Sequence, residues 1–329
     1  MALNKKNLNN LFYIFVTAHL IIWTLIPTLT NNNLPLDTIE HLAWGSNLDW
    51  GFDKHPPMVA VFLEIFYQIF GSQDWSYYFL SQLFVIISFY FVFRFSNEIF
   101  ANKTLSLLSV FIIEAIYFYN FTTPEFNVNV SQLPFWALSV YFFWKGLVSN
   151  KKINWILFGV FSALGFLSKY LFIYILLALL IYFVFNFKKY KKSVKNYCLS
   201  IIISLVILTP HFMWLFDNNF ETVLYGLART GVTDFNLINH IKNPVIFLLK
   251  QMIILIPFFL FFFMIIRKFN IKVNTKDKKI LFLLSINLIP ILLMLITSVL
   301  TGAKIRTMWM TPFYLFFGSL ILLIFKKNI

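Results

Sequence analysis

Two carboxylates, Asp37 and Glu40, stand in Asp37-Thr38-Ile39-Glu40-His41-Leu42-Ala43-Trp44, just beyond a hydrophobic run, and Lys54-His55-Pro56-Pro57 follows after a turn. On a short helix the i, i+3 spacing sets both carboxylates on one face. The basic pair supplies the opposite charge that a phosphate needs. The pattern reads as an active-site loop at a membrane surface. It also fits plain capping, with Asp37 as N-cap and Glu40 completing a capping box; the two roles can coexist.

Other chemistry-bearing residues recur between hydrophobic runs. Glu125 is the only charge in Thr122-Thr123-Pro124-Glu125-Phe126-Asn127 and the polar stretch that follows. His211 stands in Pro210-His211-Phe212-Met213-Trp214 at the end of a run, and the long segment after it holds Asp217, Glu221, Arg229, Asp234, His240 and Lys242. Lys304 and Arg306 precede Trp309 and Pro312. His211 at a run's end suits phosphate binding, metal ligation or capping at an interface.

The elements that must position these residues follow from composition. The chain is 60% hydrophobic and 12% charged, with a mean hydropathy of +0.77, whereas soluble domains carry roughly 25% charged residues. An integral membrane protein is expected. Backbone groups in lipid must be satisfied within each segment, so the fold class is all-α. About ten transmembrane helices are predicted, at 11–29, 76–95, 104–120, 131–148, 154–168, 170–187, 196–216, 244–266, 279–299 and 308–325. The stretch from Pro56 to Gly71 is short for a span and carries Glu64 and Gln68 at i, i+4, which predicts a helix lying in the outer interface as the floor of the first loop.

With both ends cytoplasmic, most basic residues fall on inner segments, densest at Lys188, Lys189, Lys191, Lys192 and Lys195, at Arg267, Lys268, Lys272, Lys276, Lys278 and Lys279, and at Lys326 and Lys327. Only Lys54, Lys169, Arg229, Lys242, Lys250, Lys304 and Arg306 lie outside or at outer ends. That is the positive-inside pattern. The net charge of +14 is therefore accounted for by topology and anionic inner-leaflet lipid, and gives no reason to invoke nucleic acid. His19 and Glu114 fall within spans, where polar groups are costly and usually partnered, so they are expected to pair inside the bundle. Cys198 stands alone, which leaves it a packing residue.

Taken in order, the outer segments resemble those of GT-C membrane glycosyltransferases that use polyprenyl-phosphate sugars, a group with protein mannosyltransferases, lipid A aminoarabinose transferases and lipopolysaccharide galacturonosyltransferases. The residues that carry this are Asp37-Thr38-Ile39-Glu40, Ala43-Trp44-Gly45, Trp50-Gly51-Phe52, Lys54-His55-Pro56-Pro57, Thr123-Pro124-Glu125-Phe126-Asn127, Leu167-Ser168-Lys169-Tyr170, Pro210-His211-x-x-Trp214 and Arg306-x-x-Trp309-x-x-Pro312. The chain departs from the pattern at Thr38, where many relatives have a second acid; Glu40 is the carboxylate in reach of that role. It departs again at Lys54, where an acid is common, and at Glu125, often Asp.

The resemblance implies one transmembrane glycosyltransferase domain over 1–329, with outer loop 30–75 forming much of the active site and no C-terminal soluble domain. It implies an inverting transfer of a sugar from a polyprenyl-phosphate donor to a lipid A or lipopolysaccharide-type acceptor, lipid or glycan, on the extracytoplasmic face of the bacterial inner membrane. Catalytic carboxylates would be Asp37, Glu125 and Glu40. Lys54, His55, Lys169 and Arg306 would bind the donor phosphate, and Trp44, His211 and Arg229 the substrate. A divalent cation is possible as cofactor, although no ligand spacing calls for a metal. The alternatives are a protein O-mannosyltransferase-like enzyme and a transporter or flippase for a lipid-linked sugar, which would place charges near the bilayer middle.

Overall fold

A computed structural model describes residues 5–231, 236–266 and 277–325; Asp234, Arg267, Lys268, Lys272, Lys276, Lys326 and Lys327 lie outside them. Among the described residues the fold is all-helical, without strands. In chain order the helices are α1 (Lys5–Thr30), α2 (Leu36–Gly45), α3 (Met58–Phe70), α4 (Asp74–Phe100), α5 (Lys103–Ile113), α6 (Val128–Ser131), α7 (Leu133–Ser149), α8 (Lys152–Ser168), α9 (Ile173–Phe185), α10 (Phe187–Tyr190), α11 (Val194–Asp217), α12 (Glu221–Arg229), α13 (Asn239–Ile265), α14 (Lys278–Thr301) and α15 (Phe317–Phe325).

Every segment predicted to span contains a helix, but the count of about ten is not reached by helices able to span alone. Five are long and apolar enough to cross a membrane, and a sixth forms if Thr307–Tyr314 and α15, bent by 51°, make one broken span. α7 and α8, at 17 residues each, are ~26 Å long at 1.5 Å per residue, short of a ~30 Å core. α3 begins directly after Pro56-Pro57 and stops at Gly71, whose φ of +68° suits glycine. At 13 residues it is ~20 Å long and too short to cross.

The helices close on one another through aromatic rings and small residues. α4 packs on α1, α5 and α7, and α8 is gripped between α7 and α11. Where α15 meets α5, a Cβ on Gly318 would lie 2.2 Å from the Ser109 carbonyl oxygen. Ser96, Ser109 and Ser319 link hydroxyl to hydroxyl at the same crossing. Small side chains let backbones approach, and their hydroxyls bond across helices. Cys198 does not serve as a packing residue: it is exposed on α11.

One predicted span is interrupted in a way that builds the site. α5 ends at Ile113, and the chain unwinds through a 3-10 turn at Tyr117–Tyr119 before Asn127 caps α6 by accepting from the N–H groups of Asn129 and Val130. Glu114, just past α5, meets His19 Nδ1 at 3.0 Å, the expected bundle pair. His19 Nε2 continues to Gln82 at 3.1 Å, and Gln82 Nε2 donates to Thr123 Oγ1 at 3.2 Å. Irregular backbone inside a bundle requires such internal partners. This polar chain fixes the segment that presents Glu125.

Candidate functional site

The first outer loop is short helix followed by hairpin-like turn, and each part is tied down. α2 starts at Leu36 after Pro35, with no side-chain cap. Asp37 is therefore a first-turn residue and not the N-cap of a capping box, because the helix begins two residues earlier than that reading requires. Its carboxylate is left for other work near the positive end of α2. The turn that follows is held from α11 and α12. His211 Nδ1 donates to the Trp50 carbonyl at 2.5 Å, Trp214 Nε1 donates to Asp49 at 2.8 Å, and Thr222 Oγ1 donates to the Phe52 carbonyl at 2.6 Å.

These anchors bring one set of charges around a cavity of about 470 Å³, onto which Asp37, Glu40, Lys54, His55, Lys169, Arg229 and Arg306 all open. Lys54 is ion-paired with Glu40, and that carboxylate raises its pKa further. Lys169 is the single residue between α8 and the 3-10 turn Tyr170–Phe172. It is 7% exposed, hydrogen-bonded to Asn129, and has its ammonium 5.3 Å from the centre of the Trp309 ring. Burial pushes its pKa down to about 7, with Asp37 pulling the other way. A buried ammonium with one neutral partner is ready for an anion.

Glu125 sits behind α2. Its Oε1 accepts from the Asp37 backbone N–H at 3.3 Å and its Oε2 from Asn127 Nδ2 at 3.0 Å. Burial, then the Asp37 carboxylate, holds the Glu125 carboxyl above the usual carboxylate range. Glu125 opens onto a second, larger cavity of about 890 Å³, walled by apolar residues such as Trp23, Ile26 and Phe121 and carrying Lys250 and Lys304. Asn129, Arg306 and Met308 line both spaces. The arrangement is two chambers with a carboxyl on each side of their partition and a guanidinium common to both.

Three expected residues take other places. Trp44 stacks on Phe52 at 5.0 Å and meets His41 and His55 edge-on, so it packs the loop and does not line the cavity. His211 is fully buried, with Nε2 hydrogen-bonded to the Tyr170 hydroxyl at 2.8 Å, so both ring nitrogens are taken. Arg229 is exposed, at the rim. His55 lines the cavity, but burial and then the neighbouring cationic groups push its pKa down to about 2, which leaves it a neutral hydrogen-bonding group.

Four residues carry weight that charge and spacing did not flag. Asn129 holds Lys169, Asn127 holds Glu125, and Tyr225 meets His55 edge-on at 6.2 Å. His41, buried on α2, donates through Nδ1 to the Asp37 carbonyl at 2.5 Å and stacks on His55, while its Nε2 has no hydrogen-bond partner among the described residues. Its position four residues after Asp37 was the available signal. Among the described residues no group of three or more His, Cys, Asp or Glu could hold a metal.

Residues 54–214, just under half of the chain, match the family described as dolichyl-phosphate-mannose-protein mannosyltransferase. The matched stretch includes Lys54, His55, Glu125, Lys169 and His211 and leaves out Asp37, Glu40, Arg229 and Arg306. Over 107 residues the chain is 35% identical to the undecaprenyl phosphate-alpha-4-amino-4-deoxy-L-arabinose arabinosyl transferase of Wigglesworthia glossinidia brevipalpis. That alignment covers 30% of this chain and 18% of that relative. No solved structure matches. Both matched names are those of sugar transferases, and the described residues of this chain form an all-helical fold with helices long and apolar enough to cross a membrane.

Proposed function

We propose that this chain transfers a sugar from a polyprenyl-phosphate donor, with inversion, to a lipid A or lipopolysaccharide-type acceptor at the extracytoplasmic face of the bacterial inner membrane. The observation that carries this reading is the meeting of Asp37 and Lys169 on one cavity, with a second, larger chamber of mixed polar and apolar walls beside it. In the transfer, an acceptor hydroxyl oxygen bonds to the anomeric carbon from the face opposite the phosphate. The bond from that carbon to the phosphate oxygen breaks, and the lipid phosphate leaves with its electrons. Asp37 takes the hydroxyl proton, aided by Glu125 or Glu40. Lys169, Lys54 and Arg306 stabilise the departing phosphate, and His55 offers it a neutral hydrogen bond. Trp44 and His211 support the site from behind, and Arg229 guards its mouth. On this reading the short helices join the long ones in a bundle of about ten crossings, and α3 lies in the outer interface.

The name of the aligned relative favours an aminoarabinose-like sugar carried on undecaprenyl phosphate, while the family description points to mannose and a protein acceptor. Mass spectrometry of lipid A and core oligosaccharide decides between them. The host lacking the gene is compared with the host restored by wild type or by Asp37→Asn at matched membrane abundance. One sugar mass lost on deletion, returned by wild type and not by Asp37→Asn, is the expected result. An unchanged lipid profile sends the reading to protein acceptors or to transport of a lipid-linked sugar, and full restoration by Asp37→Asn removes that residue from catalysis.

A further inference from the structure

A third cavity, of about 500 Å³, opens away from the candidate site, walled by Trp144 and Leu147 of α7, Lys189 and Tyr190 of α10, and Lys278 and Lys279 of α14. α7 begins beside the Asn127–Ser131 segment of the candidate site and runs 17 residues to Ser149, which puts the two regions about one helix length, ~25 Å, apart. The proposed transfer makes no use of this cavity.

Its charges are unbalanced. Asp277 is the carboxylate on its wall, and that side chain caps α14 by accepting from the Lys279 N–H at 2.9 Å. The Lys279 ammonium is committed to the end of α4, where it donates to the Ile99 carbonyl at 2.6 Å. Lys189 and Lys278 remain. Lys189 donates to the Tyr190 hydroxyl at 2.6 Å and lies 4.3 Å from its ring centre, and Lys278 lines the same cavity. Neither forms an ion pair with a carboxylate among the described residues. Two like charges held at one cavity favour an anion between them.

An apolar flank adjoins this charge. Val148 on the wall is 64% exposed and Phe187, two residues from Lys189, is 45% exposed. A free anion has no use for such a flank, but acyl chains do. Basic pockets between membrane helices are suited to anionic headgroups. We propose that this cavity binds the phosphate of an anionic membrane lipid in the leaflet opposite the candidate site, with Lys189 and Lys278 on the phosphate oxygens and the lipid tails along Val148 and Phe187.

The test is native mass spectrometry and thermal unfolding of the full chain in neutral detergent, with phosphatidylglycerol, phosphatidylcholine or inorganic phosphate added. Wild type is expected to retain phosphatidylglycerol over phosphatidylcholine and to gain stability from it. Lys189→Gln/Lys278→Gln should bind it about tenfold or more weakly, and Lys189→Arg/Lys278→Arg should keep binding. Lys191→Gln/Lys192→Gln, which removes the same charge from exposed neighbours, should bind as wild type. No preference for phosphatidylglycerol, equal losses in the two Gln pairs, or failure of the Arg pair to retain binding overturns the proposal. Equal stabilisation by inorganic phosphate, lost in Lys189→Gln/Lys278→Gln, also overturns it by making the occupant a free anion.

Discussion

The backbone N–H of Asp37 donates to Oε1 of Glu125 at 3.3 Å, joining residues 88 positions apart. The bond lies on the partition between the two chambers, with Asp37 opening onto the smaller and Glu125 onto the larger. Because it uses the Asp37 backbone and not its side chain, the Asp37 carboxylate can act on a substrate without loosening the partition. The same contact burdens Glu125 with a neighbouring negative charge.

Asp37→Asn keeps the backbone donor and nearly the same shape while removing the base. Turnover in membranes supplied with polyprenyl-phosphate sugar is expected to fall by roughly 10²–10⁴-fold, the usual worth of general base help. Thermal unfolding should move little. A variant that turns over at the wild-type rate would show that Asp37 is not the base.

The Glu125 carboxyl gives a stability signature with a definite sign. Burial and Asp37 raise its pKa in the folded state, so the fold holds this proton more tightly than the unfolded chain does. At acid pH both states are protonated and there is no penalty. As pH rises through the raised value, the folded protein must ionise a buried group and loses stability. Relative to Glu125→Gln, wild type should therefore lose thermal stability as pH rises above the ordinary carboxylate value of 4.5, as read by unfolding in detergent. Parallel curves for the two proteins would rule this out.

Lys169 titrates in the opposite sense. Its folded-state pKa is about 7, against an unfolded value of about 10.4. Between these values the unfolded chain holds the proton and the fold does not, so its contribution makes stability rise with pH across that window. Donor binding needs the ammonium, and KM for the donor should rise as pH goes from about 6.5 to 8.5. Lys169→Arg should flatten that rise, since arginine stays charged. Lys169→Met should raise KM about tenfold or more near pH 6.5, the loss expected for a hydrogen bond to a charged group, and the gap to wild type should narrow as pH rises. A pH-independent donor KM in wild type contradicts the assignment.

The helical class and the positions of the long helices were legible because they follow from hydropathy alone, and residues such as Lys169 and Arg306 stand out as charges beside apolar runs. The length of α5 was less so. α5 stops at Ile113 because the polar chain from His19 through Gln82 to Thr123 satisfies an unwound segment, and such a chain exists only once three distant stretches meet. Asn129 and Asn127 went unflagged for a similar reason. An asparagine has no charge to announce it, and its role depends on Lys169 or Glu125 arriving from elsewhere. Asp37 as an N-cap failed by two residues, since Pro35 holds that place, within the usual imprecision of helix ends.

His211 separates a positioning role from substrate contact. Its Nδ1 donates to the Trp50 carbonyl and its Nε2 accepts from the Tyr170 hydroxyl, at 2.5 and 2.8 Å, so one ring ties the first outer loop to α11 and to the turn that carries Lys169. Removing it takes one hydrogen-bond partner from each. His211→Ala should cost about 1–3 kcal/mol, at ~0.5–1.5 kcal/mol for each hydrogen bond lost. The loop and Lys169 lose a shared anchor, so kcat should fall together with thermal stability. Were His211 instead a substrate ligand, the same variant would raise KM at unchanged stability. Unfolding temperature and the separate kinetic constants of His211→Ala, measured on one preparation, distinguish the two.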